Sequence, residues 1–325
     1  MAIGWKLHGD GRALAPGEVV APDERLSWGK TVGLGAQHVV AMFGATFVFP
    51  LIMGLNPQLA IMMSGIATIV FLLIVQGKVP SYLGTSASFV GGVAAIRAQG
   101  GDSRAVTGAI LVAGIVLALI GVAIHFLGSR VVYAVLPPAV TGAVVMLIGF
   151  NLAPVVAGVY WPQDQWVALL TMLFVIVVSL ATRGFVSRIA VFLALVFGYL
   201  ISWAFDKSFG QITSFDAGAG KITTHSRVSW EGVQQASWFG FPPGTSIVGG
   251  KEVPGYHAPT FSLTFVLLVL PAVIALIAEN TGHVKAVAEM TGSDLDPYMG
   301  RAIAADGVGT VLATSVGGSP TTTYA

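Results

Sequence analysis

The chain has 325 residues, of which 55% are hydrophobic and 10% charged, against about 25% charge in an ordinary soluble domain. That balance excludes a string of soluble domains and asks for a lipid bilayer as solvent. Lys and Arg number 16 against 15 Asp and Glu, a net charge of +1 scattered along the chain, so neither a nucleic-acid footprint nor a polybasic lipid anchor is present. The chain has 0 Cys, which excludes disulfides, thiolate metal sites and iron–sulfur clusters. No cofactor, metal or nucleic acid is expected.

A crossing takes about 20 apolar residues plus a connection, so the length allows about nine or ten crossings of an all-α polytopic membrane protein. Residues 1–30 hold Lys6, Arg12, Arg25 and Lys30 without the apolar run of about 7–15 residues that a cleavable signal peptide needs. They read as a polar tail, and the first span must target the chain. From Thr31 to Gly77 no Asp, Glu, Lys or Arg occurs, and the turn cluster Met53-Gly54-Leu55-Asn56-Pro57 divides the stretch into two spanning helices. Further spans are expected near 80–96, 105–127, 137–157, 165–182, 188–205, 261–283 and 299–317, with a tenth element from about Ser319. The Gly-, Ser- and Thr-rich stretch 206–258 reads as a long external loop with room for short strands. With the N-terminus inside, the inner segments carry Lys6, Arg12, Arg25, Lys30, Lys78, Arg130, Arg183, Arg188, Lys285 and Arg301, and the short outer loops only Arg97 and Arg104. This bias predicts a cytoplasmic N-terminus.

The third segment, Val79 to Gly92, is uncharged but rich in Pro, Gly, Ser and Thr, which disfavours a continuous helix. An extended stretch followed by a half-helix fits better, and irregular backbone persists at membrane depth only when buried in protein or lining a cavity. Gly317 to Ala325 repeats the same chemistry, and two such segments in corresponding places suggest an inverted repeat. Close helix packing through small residues is the other reading of such a segment.

Glu279 and His283 are four residues apart and share a helix face, where a carboxyl group and an imidazole can share a proton. An ionisable group at depth marks a pathway for substrate or ions by default. Counted from Phe261, however, Glu279 lies roughly 27 Å along the span, which favours a merely solvated helix end. His38, early in the first span, reads equally well as a satisfied core histidine. No HExxH zinc motif or GxSxG elbow is present, so neither a metal site nor an intramembrane enzyme has its parts.

Five ordered stretches, QHVVAMFGAT from Gln37, VPSYLGTS from Val79, LPPAVTG from Leu136, AENTGH from Ala278 and TTYA from Thr322, resemble the nucleobase–cation symporters, also called the nucleobase–ascorbate transporter family. VAPDERL from Val20 and MTGSDLDPYMGR from Met290 are most similar to bacterial pyrimidine permeases of the pyrimidine-utilisation (Rut) type, relatives of uracil permease. The resemblance runs from about residue 18 to the end. It implies fourteen segments in two inverted repeats of seven, with short strands in the discontinuous third and tenth segments. Residues 1–30 would be a cytoplasmic tail, 31–127 and 261–325 the two parts of a core domain, 128–205 the first part of a gate domain and 206–260 an external loop.

The same resemblance implies the site. Glu279 takes the place of the uracil-binding glutamate, Ala87 offers a main-chain amide, and Ala45, Phe89 and Tyr324 line the pocket. Ala325 occupies a second main-chain position, where uracil permease has glycine. Glu279, His283 and His38 would serve proton coupling. The expected activity is import of uracil, or thymine or a related pyrimidine nucleobase, across the bacterial inner membrane by proton symport, with a homodimer among the open assembly states. Xanthine or urate transport is the alternative within the family; a fold-related anion transporter is the alternative outside it, disfavoured by the carboxylate of Glu279. In the family a second glutamate and four further segments follow the Tyr-Ala or Tyr-Gly pair. About nine and a half segments are therefore expected here, cut within the second repeat, and the chain as written is expected not to transport.

Overall fold

The structure is a computed structural model that describes residues 5–12, 14, 18–183, 185–216, 219, 221–235, 239–248 and 251–324. Ala325, one of the expected site residues, lies outside them. The elements in chain order are β1 (Lys6–Leu7), β2 (Glu24–Arg25), α1 (Trp28–Met53), α2 (Pro57–Ile74), β3 (Tyr82–Thr85), α3 (Val90–Ala98), α4 (Ser103–Leu127), α5 (Arg130–Val135), α6 (Pro138–Val155), α7 (Gln165–Ala181), α8 (Phe185–Arg188) and α9 (Ala190–Phe209). After these come β4 (Ile212–Asp216), β5 (Lys221–His225), α10 (Glu231–Gln235), β6 (Thr245–Val248), β7 (Lys251–Pro254), α11 (Leu263–Val269), α12 (Ala272–Thr291), α13 (Met299–Ser315) and β8 (Thr321–Tyr324). Among the described residues, six helices are long and apolar enough to cross a membrane, and Ala87–Ala98 and Gln165–Ala181 are shorter apolar helices. The architecture is that of an all-α polytopic membrane protein with short strands.

Local chemistry sets the boundaries. The helix α1 ends at Gly54 in the left-handed conformation, φ 66°, a backbone that glycine adopts without a Cβ penalty. Asn56 then caps α2, its Oδ1 accepting from the Leu59 amide at 2.9 Å, and Pro57 occupies the first helical position, where its missing N–H costs nothing. Arg97 donates to the carbonyls of Met53 (3.2 Å) and Gly54 (2.9 Å), which would otherwise end α1 unpaired. The expected third span is a strand, a 3₁₀ turn at Ala87–Phe89 and the nine-residue α3, as the Pro, Gly and Ser content of that segment suggests.

Two expectations are corrected. The span placed at 261–283 is present as Leu263–Thr291 but is broken between α11 and α12 at Leu270–Pro271, because proline has no amide and its ring crowds the carbonyl of residue i−4. The second helix also runs on to Thr291, where Gly292 (φ 62°) caps it. Glu279 thus lies about 18 Å before the helix end at 1.5 Å per residue, inside the helix and not at a solvated terminus. The loop expected from 206 begins later, since α9 continues to Phe209; beyond it stand the antiparallel hairpin β4–β5, α10 and the pair β6–β7.

The chain divides into two compact units. In one, Leu152–Pro242 with Ile247–Glu252, α7 and α9 pack through Phe174 and Phe197, stacked at 4.2 Å. There Arg227 bridges Asp164 on the α7 cap (2.5 Å) and Asp206 on α9 (3.1 Å). The other unit, Met1–Asn151 with Pro243–Ser246 and Val253–Ala325, is built on α13 lying along α4. A Cβ on Gly307 would come within 2.7 Å of the Gly114 carbonyl, one on Gly114 within 2.9 Å of Thr310 Cγ2, and one on Gly121 within 2.6 Å of the Ala304 Cα. Without a hydrophobic drive between helices in lipid, such backbone contact is what holds them together. We expect Gly121→Leu and Gly307→Leu each to destabilise by about 1–3 kcal/mol or more. Gly142→Leu, where nothing lies within 4 Å of a built Cβ, should be near neutral. Thermal unfolding in detergent micelles reads the difference; equal midpoints for the three variants would contradict the packing argument.

Candidate functional site

The two irregular segments meet. Strands β3 and β8 pair antiparallel, Tyr82 opposite Tyr324 and Thr85 opposite Thr321, although about 240 positions separate the partners. The ladder continues on both sides: Ser86 donates its amide to the Pro320 carbonyl (3.0 Å) and Ser81 Oγ donates to the Tyr324 carbonyl (2.9 Å). Each strand thereby satisfies the backbone of the other, which water cannot do at this depth. Gly84 permits the crossing, since a Cβ there would stand 2.8 Å from both Thr46 Oγ1 and Tyr324 Cε2. Around it Tyr324 OH donates to the Thr85 carbonyl at 2.7 Å, and Thr46 Oγ1 and Tyr82 OH lie 3.2 Å apart. The His38 ring stands edge-on to Tyr82, with centroids 6.2 Å apart.

Strand β3 gives way to a helix start. Ser86 takes the cap position, its hydroxyl accepting from the Ser88 amide at 3.3 Å, and Ala87 opens the 3₁₀ turn. The first amides of such a start have no partner within the helix and carry the positive end of its dipole. Ser88, in this turn, donates its hydroxyl to Glu279 Oε2 on α12 at 3.1 Å.

Helix α12 presents two other polar side chains to β8. Asn280 donates through Nδ2 to the Leu276 carbonyl (2.9 Å) and to Asp306 Oδ2 on α13 (2.7 Å), and accepts at Oδ1 from Thr323 Oγ1 (2.9 Å). His283 Nδ1 lies 2.9 Å from the same Thr323 hydroxyl. Asn280 and Asp306 are fully buried, and Asp306 Oδ1 has no hydrogen-bond partner among the described residues. Thr310 on α13 anchors the strand from behind, its hydroxyl bonding to both the amide and the carbonyl of Thr321, at 3.1 and 3.0 Å.

Of the residues singled out from the sequence, Glu279 and the turn at Ala87 are brought together through Ser88. Tyr324 flanks the crossing in β8, and Ala45 precedes Thr46 on α1. His38 lies two turns earlier on the same helix, against Tyr82. Phe89, the last residue of the turn, is fully buried. Glu279 and His283 share a face, yet each holds its own partner, Ser88 and Thr323, and no hydrogen bond joins them among the described residues. Sequence reasoning passes over Ser88, Asn280, Thr323 and Asp306. For Asp306 the signal is present, an acidic residue inside a span; Ser88 gains meaning only once the turn after β3 is seen beside α12, and Asn280 and Thr323 only once β8 is.

Residues 29–325 match the permease family. The RutG pyrimidine permease of Escherichia coli (strain K12) is 42% identical over 316 residues, covering 94% of this chain and 65% of that protein. The uracil permease of Bacillus subtilis (strain 168) is 32% identical over 312 residues, 92% of this chain and 65% of its own length. That of Paenibacillus larvae is 29% identical over 321 residues, 94% and 68%. The chain thus spans about two thirds of the length of these relatives. With a match that takes in every element of the crossed-strand site, the chain belongs to the permease family, the nucleobase–cation symporters that its motifs resemble, and is a multi-pass membrane protein.

Proposed function

We propose that the protein imports uracil or a closely related pyrimidine nucleobase across the bacterial inner membrane by proton symport, with its N-terminus cytoplasmic. The observation that carries this reading is the contact between Glu279 and the half-helix turn at Ser88, in a chain whose relatives are named uracil and pyrimidine permeases. A pyrimidine ring offers N–H donors beside carbonyl acceptors. A carboxylate whose Oε2 is engaged by Ser88 can accept a ring N–H at Oε1, and the amide of Ala87 at the helix start can donate to a ring carbonyl. Ala45, Phe89 and Tyr324 form the walls of this proposed pocket, and Ala325 follows Tyr324 in the second main-chain position. A site built on paired donors and acceptors rejects analogues that lack them, because its own buried groups are then left unpaired.

In this reading 31–127 and 261–325 form the core, 128–205 belongs to a gate, 206–260 is the external loop, and the whole protein follows a repeat of seven and seven segments. The antiparallel pairing of β3 and β8 supports the repeat, since an inverted repeat sets its two broken segments head to tail. Transport is movement of core against gate around the bound base. Glu279, His283 and His38 supply titratable groups near the crossing, and proton uptake at one of them links substrate binding to the proton gradient.

Two outcomes are expected. Glu279→Gln keeps size and polarity but can neither ionise nor release a proton. Losing a charge-assisted hydrogen bond costs about 1.5–3 kcal/mol, so uracil affinity should fall about 10- to 100-fold, with accumulation lost and membrane insertion unchanged. Wild-type accumulation ratios at equal expression would sink the assignment. In proteoliposomes an inwardly directed proton gradient should drive uptake of radiolabelled uracil, and a sodium gradient at constant pH should not; sodium dependence with indifference to pH would reverse the coupling ion.

A further inference from the structure

His283 sits at the end of a chain of hydrogen bonds whose direction can be read from its other end. Asn280 is the fixed point. Its Nδ2 faces two acceptors, the Leu276 carbonyl and Asp306 Oδ2. Turning the amide over would set Oδ1 against the Leu276 carbonyl, which has no proton to give, and burial leaves no water to relieve the clash of lone pairs. Oδ1 therefore faces Thr323, and because an amide oxygen only accepts, the Thr323 hydroxyl must donate to it. A hydroxyl has one proton. With that proton committed to Asn280, Thr323 Oγ1 can only accept from His283 Nδ1, so Nδ1 carries the hydrogen.

We propose that Thr323 and Asn280 act as positioning residues that hold neutral His283 in its Nδ1–H tautomer, so that Nε2 is the atom of His283 that takes up and releases a proton. A proton arriving at Nε2 gives an imidazolium that keeps its Nδ1–H bond to Thr323, and departure of that proton restores the same tautomer with no rearrangement of the chain. The other ionisable groups nearby hold different partners. Glu279, one turn earlier on α12, accepts from Ser88; Lys285, two residues on, pairs with Asp296 at 2.7 Å; Asp306 on α13 closes the far end of the chain. On the strand, Tyr324 donates to Thr85, and on α1 His38 meets the edge of Tyr82. That this proton is the one coupled to nucleobase movement rests on the symport reading above.

The test is nitrogen-15 NMR of protein labelled at histidine, of which the chain has 6, with the His283 signals identified by their loss in His283→Gln. At alkaline pH the expected pattern is one tautomer, Nδ1 protonated and Nε2 bare, and on acidification only Nε2 should change. Thr323→Ser keeps a hydroxyl and should preserve the pattern, whereas Thr323→Val should replace it with a mixture of tautomers. An Nε2–H tautomer in the unmodified protein, or an unchanged pattern in Thr323→Val, would overturn the proposal. The spectrum is independent of transport: a protein with the expected tautomer but no uptake of labelled uracil would retain the relay and refute the symport reading alone.

Discussion

A backbone amide or carbonyl at membrane depth has no water to bond with, and leaving one unpaired costs several kcal/mol. The rest of the site depends on that constraint. A transporter that binds a small polar ring needs helix starts, with their unpaired amides, in the middle of the membrane, and each such start is reached through a non-helical segment. Here the two segments pair with one another, β3 with β8, so the cost of breaking one span is offset by breaking the other. Gly84 lets the strands cross close to α1 and Tyr324. Thr310 holds the far edge of β8, and α13 is itself seated on α4 by backbone contact at glycines.

Helix α12 turns this scaffold into chemistry. Successive polar residues on it reach different neighbours: Glu279 reaches the helix start after β3, Asn280 reaches α13 and His283 reaches β8. A nucleobase engaging Glu279 and the turn at Ala87 would therefore touch groups that the first broken segment and α12 hold together. A proton at His283 would sit on α12, one hydrogen bond from Thr323 of β8. Coupling between substrate and proton then needs no distant pathway, only the shared rigidity of a two-stranded pair.

The residues that break regular structure were the legible ones. Gly54, Asn56 and Pro57 mark the turn between α1 and α2 because left-handed backbone, capping and a missing amide each have one favoured residue type. The Pro, Gly and Ser content of 79–92 marks the strand and half-helix for similar reasons. The pairing of β3 with β8 is not legible from local pattern, since nothing in four uncharged residues names a partner more than 200 positions away. Pro271 is visible in the sequence, but a uniformly apolar span hides whether it kinks a helix or divides it. Counted from Phe261, Glu279 falls near the far end of its span, whereas the helix that carries it starts at Ala272 and runs on to Thr291, with Lys285 and Glu289 in its closing turns. Long side chains near a helix end reach water without ending the helix.

In the proposed function the helix start at Ala87 forms one wall of a nucleobase site with Glu279. The chain has 0 Cys, so a single introduced thiol reports on its own position. Ala87→Cys adds only a sulfur to a residue whose proposed contact is its main-chain amide. Its rate of maleimide labelling, measured with and without saturating uracil, tests the claim directly, with Phe241→Cys in the exposed loop as the reference. Uracil should slow labelling at position 87 and leave position 241 unchanged. Equal labelling rates at position 87 with and without uracil, in a variant that still binds the base, would contradict it.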